Sequence, residues 1–518
     1  MKFALLAFLG LAAAAPHVGG SVGDCASFTL TEKFSEFKVV SVKSVESTIA
    51  YQGASKSICN VTVVTSHSCA TDHVYNYFWL PLEEWDGRLV VMGGGNFATM
   101  DSGQFGPLIA GGYVSAATEG GLSLNGTIDP GLGGWIAKAD GTVNQGLFKN
   151  FAYRALHDLT LISKAVSKAF YGSKPNYSYY NGCSTGGRMG YDAAWHYPQD
   201  FDGIVAGAPA LYIPDLVAGD MWPQVVMQNT VAPPQCVWNH YLTATIEACD
   251  LDDGVADKLI SRPDLCKFNP SSQVGKTIDC TDTGGQVTIT EGYSNVIRET
   301  YAGPKSQNGE FIWYGLPVGS LFQAIAYTYT QKNVTYPYPM SLASPYINKL
   351  FLQNSTFDIN SISYDEFEHI HKTARELYSF RLGGDGSDLA AFKAAGGKLL
   401  SYHALNDPII PHDGTVQFWE REQQSDANVA DWYRLFMYAG GGHCGSNYYP
   451  GWGNYGFLIN NPLPDLIDWV EKGKAPDVLS SYVPSITKTI ERGVCSHPKR
   501  ITYKGTGDIN SVDSFHCV

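Results

Sequence analysis

Ser184 stands in the stretch Gly182-Cys183-Ser184-Thr185-Gly186, with a glycine two residues to either side. A serine hydroxyl attacks an acyl carbon efficiently only when a base removes its proton and an acid holds that base in the right tautomer. Further along the chain, Asp407 in "NDPIIP" and His443 in "GGGHCG" supply both partners, in the chain order Ser, Asp, His. That order is used by α/β-hydrolases and differs from the two common serine-protease orders. Singly, a loop aspartate or a histidine after glycines is ordinarily a capping or surface residue; the assignment rests on all three together. The chemistry they support is two-step acyl transfer through a serine ester. Its oxyanion would be held by the Thr185 backbone N–H and one N–H from Gly94 or Gly95, each donor contributing about 3–4 kcal/mol.

The nucleophile and the base each have a cysteine next to them, Cys183 before Ser184 and Cys444 after His443. A disulfide admits Cα atoms only about 4–7 Å apart, so a Cys183–Cys444 bond would bring the two reacting groups together. The alternatives are a buried free thiol at each position, or a thiol nucleophile at Cys183. The latter would point away from the substrate.

These residues need strands and turns to aim them. Leu89–Met92 reads as a buried strand running into Gly93-Gly94-Gly95, where backbone N–H groups are unobstructed by Cβ atoms. Between 151 and 170, Leu156, Leu159, Ile162, Val166 and Phe170 recur at helical spacing and predict an amphipathic helix. The strand "YSYYNG" then meets Ser184, and a helix is predicted over 188–197, giving a strand, sharp turn and helix in which the flanking positions must be small. A further short strand lies in 201–210, one at 398–402 leads into the loop bearing Asp407, and one in "WYRLFMYAGGGHCG" ends at His443. Polar residues at strand ends occupy the usual place of catalytic groups in such sheets. Between them, 211–394 is irregular, aromatic-rich and cysteine-bearing. The expected architecture is therefore α/β: an α/β-hydrolase core over 19–210 and 395–518 with a large inserted lid domain over 211–394. The aromatics Trp222, Trp238, Tyr314, Tyr327 and Tyr329 are candidates for a flat slot that takes a phenolic ring, although most such residues belong to cores.

The chain has 518 residues, 44% of them hydrophobic and 16% charged, as a folded globular protein should. Its net charge of −14 argues against nucleic acid and anionic membrane surfaces as partners. Residues 1–18 read as a secretory signal, with one lysine, an apolar run too short to span a bilayer, and Ala13-Ala14-Ala15 before Pro16. Sequons at Asn60, Asn125, Asn176, Asn333 and Asn354 agree with a secreted, extracellular glycoprotein. Eleven cysteines in an exported chain imply disulfides, and the odd count leaves one over. No nucleotide, flavin or zinc motif is present, so no organic cofactor is expected.

The segments "GCSTGGRMG", "YPQDFDGIVAGAPA", "NDPIIP" and "GGGHCG" resemble those of the tannase and feruloyl esterase family, from about residue 25 to the end. The resemblance implies a Ser184–Asp407–His443 triad tethered by Cys183–Cys444, and hydrolysis of phenolic-acid esters. Feruloyl and related hydroxycinnamoyl esters of plant cell-wall sugars are the favoured substrates, and galloyl esters the alternative. It also implies a structural calcium ion in "CDLDDGVADKLI", held by Asp250, Asp253 and Asp257 with the carbonyls of Val255 and Leu259, since hard cations take several oxygens. Read without the resemblance, that acidic turn is a solvated loop. Family pairs would join Cys25 to Cys69, Cys249 to Cys266 and Cys495 to Cys517, with Cys59, Cys236 and Cys280 left open. A calcium-stabilised wall-binding protein without turnover is a rival reading, but it predicts a damaged triad; a peptidase is another, with nothing beyond the triad in its favour.

Overall fold

The computed structural model describes residues 23–518 apart from 68–71, 102, 104, 383, 385–387, 446–447, 450–452, 455 and 484–489. The signal-peptide reading of residues 1–18 lies outside the described residues. Among those described, no helix is long and apolar enough to cross a membrane.

A nine-stranded sheet forms the centre. Its first seven strands in chain order are β1 (Phe37–Tyr51), β2 (Ala54–His67), β3 (Val74–Pro81), β4 (Arg88–Met92), β5 (Val114–Thr118), β6 (Tyr177–Cys183) and β7 (Gly203–Gly207). The strands Lys398–Ala404 and Tyr433–Tyr438 complete it, and the spatial order is β1-β2-β3-β5-β4-β6-β7 followed by these two. The β1–β2–β3–β5 flank is antiparallel, whereas every neighbouring pair from β5 onward is parallel. Parallel strands need helical crossovers that cover both faces, which is why β4 and β7 are buried along their length rather than alternating.

Helix Ala155–Tyr171 supplies one crossover and buries Leu156, Leu159, Ile162, Val166 and Phe170, the face anticipated from spacing. It starts later than the periodicity suggested, because Asn150–Arg154 winds as a π-turn. Among the described residues, the segment between β7 and Lys398 adds no strand to the main sheet. It packs instead into an apolar cluster shared with the body, in which helices Ile213–Asn229, Gln235–Cys249 and Tyr364–Tyr378 contribute Trp222, Trp238 and Phe367 beside Phe97, Trp135 and Phe151. The inserted segment therefore shares a core with residues 97–152 of the body and covers Ser184 at the end of β6.

Five disulfides are formed among the described residues. Cys183–Cys444, Cys249–Cys266 and Cys495–Cys517 are joined, and Cys236 pairs with Cys280. One expected pairing needs correction: Cys25 bonds Cys59 rather than Cys69, which lies outside the described residues. Cys59 falls on the inward side of β2 and is fully buried, while a hydrogen bond from Ser44 Oγ to the Cys25 carbonyl ties the Cys25 turn to β1; the two Cα atoms are 5.6 Å apart.

A buried ionic knot joins the end of β2 to the crossover helix. His67 Nδ1 lies 2.6 Å from Asp72 Oδ2 and its Nε2 lies 2.9 Å from Asp158 Oδ2. Burial alone would depress the imidazolium, but the hydrogen bonds to Asp158 and Asp72 outweigh it and hold His67 up at about 9. Burial likewise opposes the Asp72 charge, yet the His67 hydrogen bonds bring it down to about 2. A raised histidine stabilises fully below its unfolded value of 6.5, and that contribution disappears as pH rises through about 9. A depressed aspartate stabilises above 3.8 and loses that contribution as pH falls through about 2. Comparing thermal melts of the wild type and His67→Gln should therefore show the largest difference between about pH 4 and 6.5, shrinking by pH 9. A difference that grows toward pH 9 would contradict the pairing.

Candidate active site

β6 ends at Cys183, and helix Thr185–His196 begins one residue after Ser184, three residues earlier than the sequence suggested. Ser184 itself is the turn, with φ 64° and ψ −124°, a conformation costly for a residue with a Cβ. Two glycines make the turn possible. A Cβ on Gly182 would lie 2.7 Å from the Gly186 carbonyl carbon, and one on Gly186 would lie 2.8 Å from the Gly94 oxygen. The helix start leaves the Thr185 N–H without an intrahelical acceptor and adds the positive end of the helix dipole beside the Ser184 hydroxyl.

The Gly93-Gly94-Gly95 loop after β4 is pinned against this turn by Gly186 N–H donating to the Gly94 oxygen at 2.9 Å. Neither the Gly94 nor the Gly95 N–H donates to another backbone group among the described residues. Asn96, which sequence reasoning passed over, also belongs here: its carbonyl accepts the Thr185 hydroxyl, and it lines the pocket that holds Ser184.

Asp407 follows the strand Lys398–Ala404 and is wholly buried. Its Oδ1 accepts the N–H groups of Ile409 and Ile410, both at 2.9 Å. Its Oδ2 meets His443 Nδ1 at 2.8 Å and His403 Nε2 at 3.2 Å. Burial works against this charge, but the His443 charge and the hydrogen bonds from His403 and His443 hold the carboxyl far below the usual carboxylate range. For His443 the signs reverse: burial disfavours the imidazolium, while the Asp407 charge and hydrogen bond favour it, for a net rise.

His403 is a second histidine on the same carboxylate, which the sequence reading missed. It is fully buried, its Nδ1 lies 2.9 Å from the Thr415 hydroxyl and its Nε2 lies 3.0 Å from the Ile410 carbonyl. A carbonyl only accepts, which assigns the proton to Nε2 and aims it between Ile410 and Asp407. His403 is thus a positioning residue for Asp407.

The Cys183–Cys444 disulfide spans a sequence separation of 261 with Cα atoms 6.0 Å apart, and it places the residues adjacent to Ser184 and His443 in covalent contact. With its sulfur in that bond, Cys183 is no thiol nucleophile. The tether acts on an unusual loop: Gly440, Gly441, Gly442, Cys444 and Gly445 all have φ between 53° and 81°.

A pocket opens over Ser184 between the catalytic body and the inserted segment. Phe97, Ile409 and Ile410 come from the body, and Ile213, Leu216, Met340 and Tyr346 from the insert. One carboxylic acid, Asp220, shares this otherwise apolar wall. Burial, reinforced by the nearby Asp407 charge, pushes its carboxyl well above the usual carboxylate range. A lone acid inside the apolar run "LVAGDMW" was the signal available in sequence. None of the five proposed slot aromatics lines this pocket. Trp222 and Trp238 are buried in the core shared by insert and body, Tyr314 lines neighbouring cavities, and Tyr327 and Tyr329 face solvent.

In the acidic loop, Asp253 Oδ1 accepts Val255 N–H and Asp250 Oδ1 accepts the N–H groups of Asp257 and Lys258. Arg492 Nη1 lies 2.8 Å from Asp257 Oδ2. Burial raises the carboxyls of Asp253 and Asp257, and the neighbouring Asp257 and Asp250 charges add to the rise. Partly desolvated carboxylates are the oxygen ligands a hard divalent cation takes, and here the three are not drawn within 4.8 Å of one another. Of the five sequons, Asn125, Asn176, Asn333 and Asn354 are exposed, and Asn60 is half-buried in β2.

A sequence model of the family described as "Tannase and feruloyl esterase" matches residues 59–518. A protein from Arthroderma benhamiae named "Probable feruloyl esterase" is 38% identical over 473 residues, covering 89% of this chain and 85% of its own. A protein from Aspergillus oryzae named "Tannase" is 29% identical over 519 residues, covering 89% and 84%. Among solved structures, the tannin acyl hydrolase from Aspergillus niger superposes with a TM-score of 0.85 at 26% identity, covering 95% of this chain and 93% of the other.

Proposed function

The chain belongs to the tannase and feruloyl esterase family, and on that premise we propose that it is a secreted serine esterase whose favoured substrates are hydroxycinnamoyl esters, feruloyl above all, carried on plant cell-wall sugars. It is a carboxylic ester hydrolase acting on phenolic-acid esters. In the proposed mechanism, His443 Nε2 takes the Ser184 proton as the serine oxygen bonds to the ester carbonyl carbon. The carbonyl–alkoxy bond then breaks, and the departing alcohol takes the proton back from His443. Water repeats the sequence on the acyl-serine and releases the acid. Thr185 N–H and one of the Gly94 or Gly95 N–H groups would hold each oxyanion. Asp407 keeps the imidazole in the tautomer that presents Nε2 and stabilises it when charged.

The observation that favours hydroxycinnamates over galloyl esters is the composition of the pocket wall. Apart from Asn96, Ser184 and Thr185 at the turn, the Asp220 carboxyl and the Tyr346 hydroxyl are the polar groups on a wall of aliphatic and aromatic residues. So few polar groups on an apolar wall suit a ring with a single phenolic hydroxyl and an apolar methoxy group. Three adjacent hydroxyls would leave buried donors unpaired, at about 1–3 kcal/mol each. Rates on methyl ferulate, p-coumarate, caffeate and gallate test this, with ferulate or p-coumarate expected to give a kcat/KM at least tenfold above gallate. A preference for gallate would transfer the reading to tannase.

Export is supported by five disulfides and by the exposure of four sequons. A structural calcium ion would be held by Asp250, Asp253 and Asp257 with the Val255 and Leu259 carbonyls, in a loop already clamped by Cys249–Cys266. Arg492 already partners one Asp257 oxygen, so Asp250 and Asp253 would carry most of the charge. When bound, such an ion supplies loop rigidity and no step of the reaction. Chelation by EGTA should lower the melting temperature by about 5 °C, with recovery on adding calcium, and elemental analysis should find one equivalent. Unchanged melting with no metal found would remove calcium from the account.

A further inference from the structure

The inserted segment carries an exposed aromatic surface that the reaction does not use. Strands Thr328–Gln331 and Val334–Pro337 form an antiparallel hairpin in which Tyr329 pairs directly with Tyr336. The ladder continues one step outward through Tyr338 N–H donating to the Tyr327 carbonyl at 2.9 Å. Side chains two apart on a strand share a face, so Tyr327, Tyr329, Tyr336 and Tyr338 all lie on one side. Their rings contact one another: Tyr329 and Tyr336 are 5.4 Å apart and near parallel, and Tyr338 meets both Tyr327 and Tyr329 edge-on. They are nonetheless 42–54% exposed.

The hairpin's other face is anchored. Thr328 is buried and its hydroxyl donates to the Pro233 carbonyl at 2.8 Å, Gln235 Nε2 donates to that hydroxyl, and Gln224 Nε2 donates to the Tyr327 carbonyl. The tyrosine face is thus held rigidly toward solvent. It also adjoins the active site. Only Pro339 separates Tyr338 from Met340, which lines the pocket over Ser184 together with Leu342 and Ala343, so the row ends at most about 7 Å of backbone from the pocket wall.

We propose that this tyrosine face is a stacking surface for a neutral polysaccharide chain, binding the sugar that carries the ester outside the pocket. Tyrosine offers an apolar ring to the C–H face of a sugar and a hydroxyl to its hydroxyl groups. A net charge of −14 disfavours an anionic polyuronate. A second copy of the chain is a poorer occupant: four half-exposed tyrosines offer on the order of 400 Å², about half of what each partner contributes to a stable interface. The proposal deepens the esterase reading of this site, since it supplies the alcohol side of the same substrate.

The test uses the Ser184→Ala protein on de-esterified arabinoxylan, so that neither turnover nor an acyl group enters the measurement. Affinity electrophoresis should show retardation by arabinoxylan and none by polygalacturonate, and adding Tyr329→Ala and Tyr336→Ala should weaken binding at least tenfold with an unchanged melting temperature. In the catalytically intact background, the two tyrosine substitutions should leave kcat/KM on methyl ferulate within twofold. Equal retardation with and without the tyrosines, no retardation of the parent, or a tyrosine-dependent dimer without polysaccharide would each overturn the proposal. Failure of the esterase reading would look different: methyl ferulate would not be hydrolysed, while the arabinoxylan result would stand by itself.

Discussion

Replacing Ser184 with alanine should lower kcat on methyl ferulate by about 10⁶-fold, because removing the nucleophile of a serine triad abolishes the covalent route and leaves only binding and oxyanion stabilisation. The fold should survive the change. Ser184 holds its place through backbone bonds, its N–H to the Gly207 carbonyl at 3.0 Å and its carbonyl to the Arg188 N–H at 3.0 Å, and alanine keeps both. Alanine at φ 64° carries the same strain as serine, so no relief or penalty is added. The melting temperature should move by less than about 2 °C. A variant that retains more than a hundredth of wild-type kcat would exclude Ser184 as the nucleophile.

The second large effect is expected from Cys183→Ala with Cys444→Ala. Closing a loop of 261 residues stabilises a folded chain by about 5 kcal/mol in the chain-entropy picture, so the double variant should melt well below the wild type. The kinetic loss has a separate cause. His443 rides on a loop in which five neighbouring residues adopt left-handed backbone conformations, and its imidazole is fixed by Asp407 on one side and by the disulfide on the other. Without the covalent link, a displacement near 1 Å is enough to cost about 100-fold in kcat, whereas KM, set by the apolar pocket, should change little. Assays well below the lowered melting temperature separate the two effects. A kcat close to wild type would mean that the tether serves stability alone.

The reacting groups could be read from the sequence because each is fixed by local chemistry. Gly182 and Gly186 are required by a turn that leaves no room for a Cβ, and paired cysteines flanking Ser184 and His443 mark one covalent link. The same holds for the crossover helix, whose burial pattern follows its spacing. What escaped notice depends on tertiary contacts. His403 sits inside a strand, and nothing in "SYHALNDP" distinguishes it from a core histidine, yet the turn from Asp407 to Ile410 folds back onto it. The pairing of Cys25 with Cys69 was carried over from the family resemblance, whereas Cys59, buried on the inward side of β2, is the partner that the fold brings to it. Tyr327 and Tyr329 were placed in a phenolic slot by residue type, whereas the cross-strand register turns them to solvent beside Tyr336 and Tyr338.

A serine hydroxyl activated by a histidine that a disulfide holds in place is most directly tested by labelling the native protein with a fluorophosphonate and mapping its peptides without reduction. The adduct should fall on Ser184, in a peptide joined through Cys183 to the one containing His443 and Cys444, and His443→Ala should abolish labelling. An adduct on another residue, or Cys183 bonded to a different half-cystine, would contradict it.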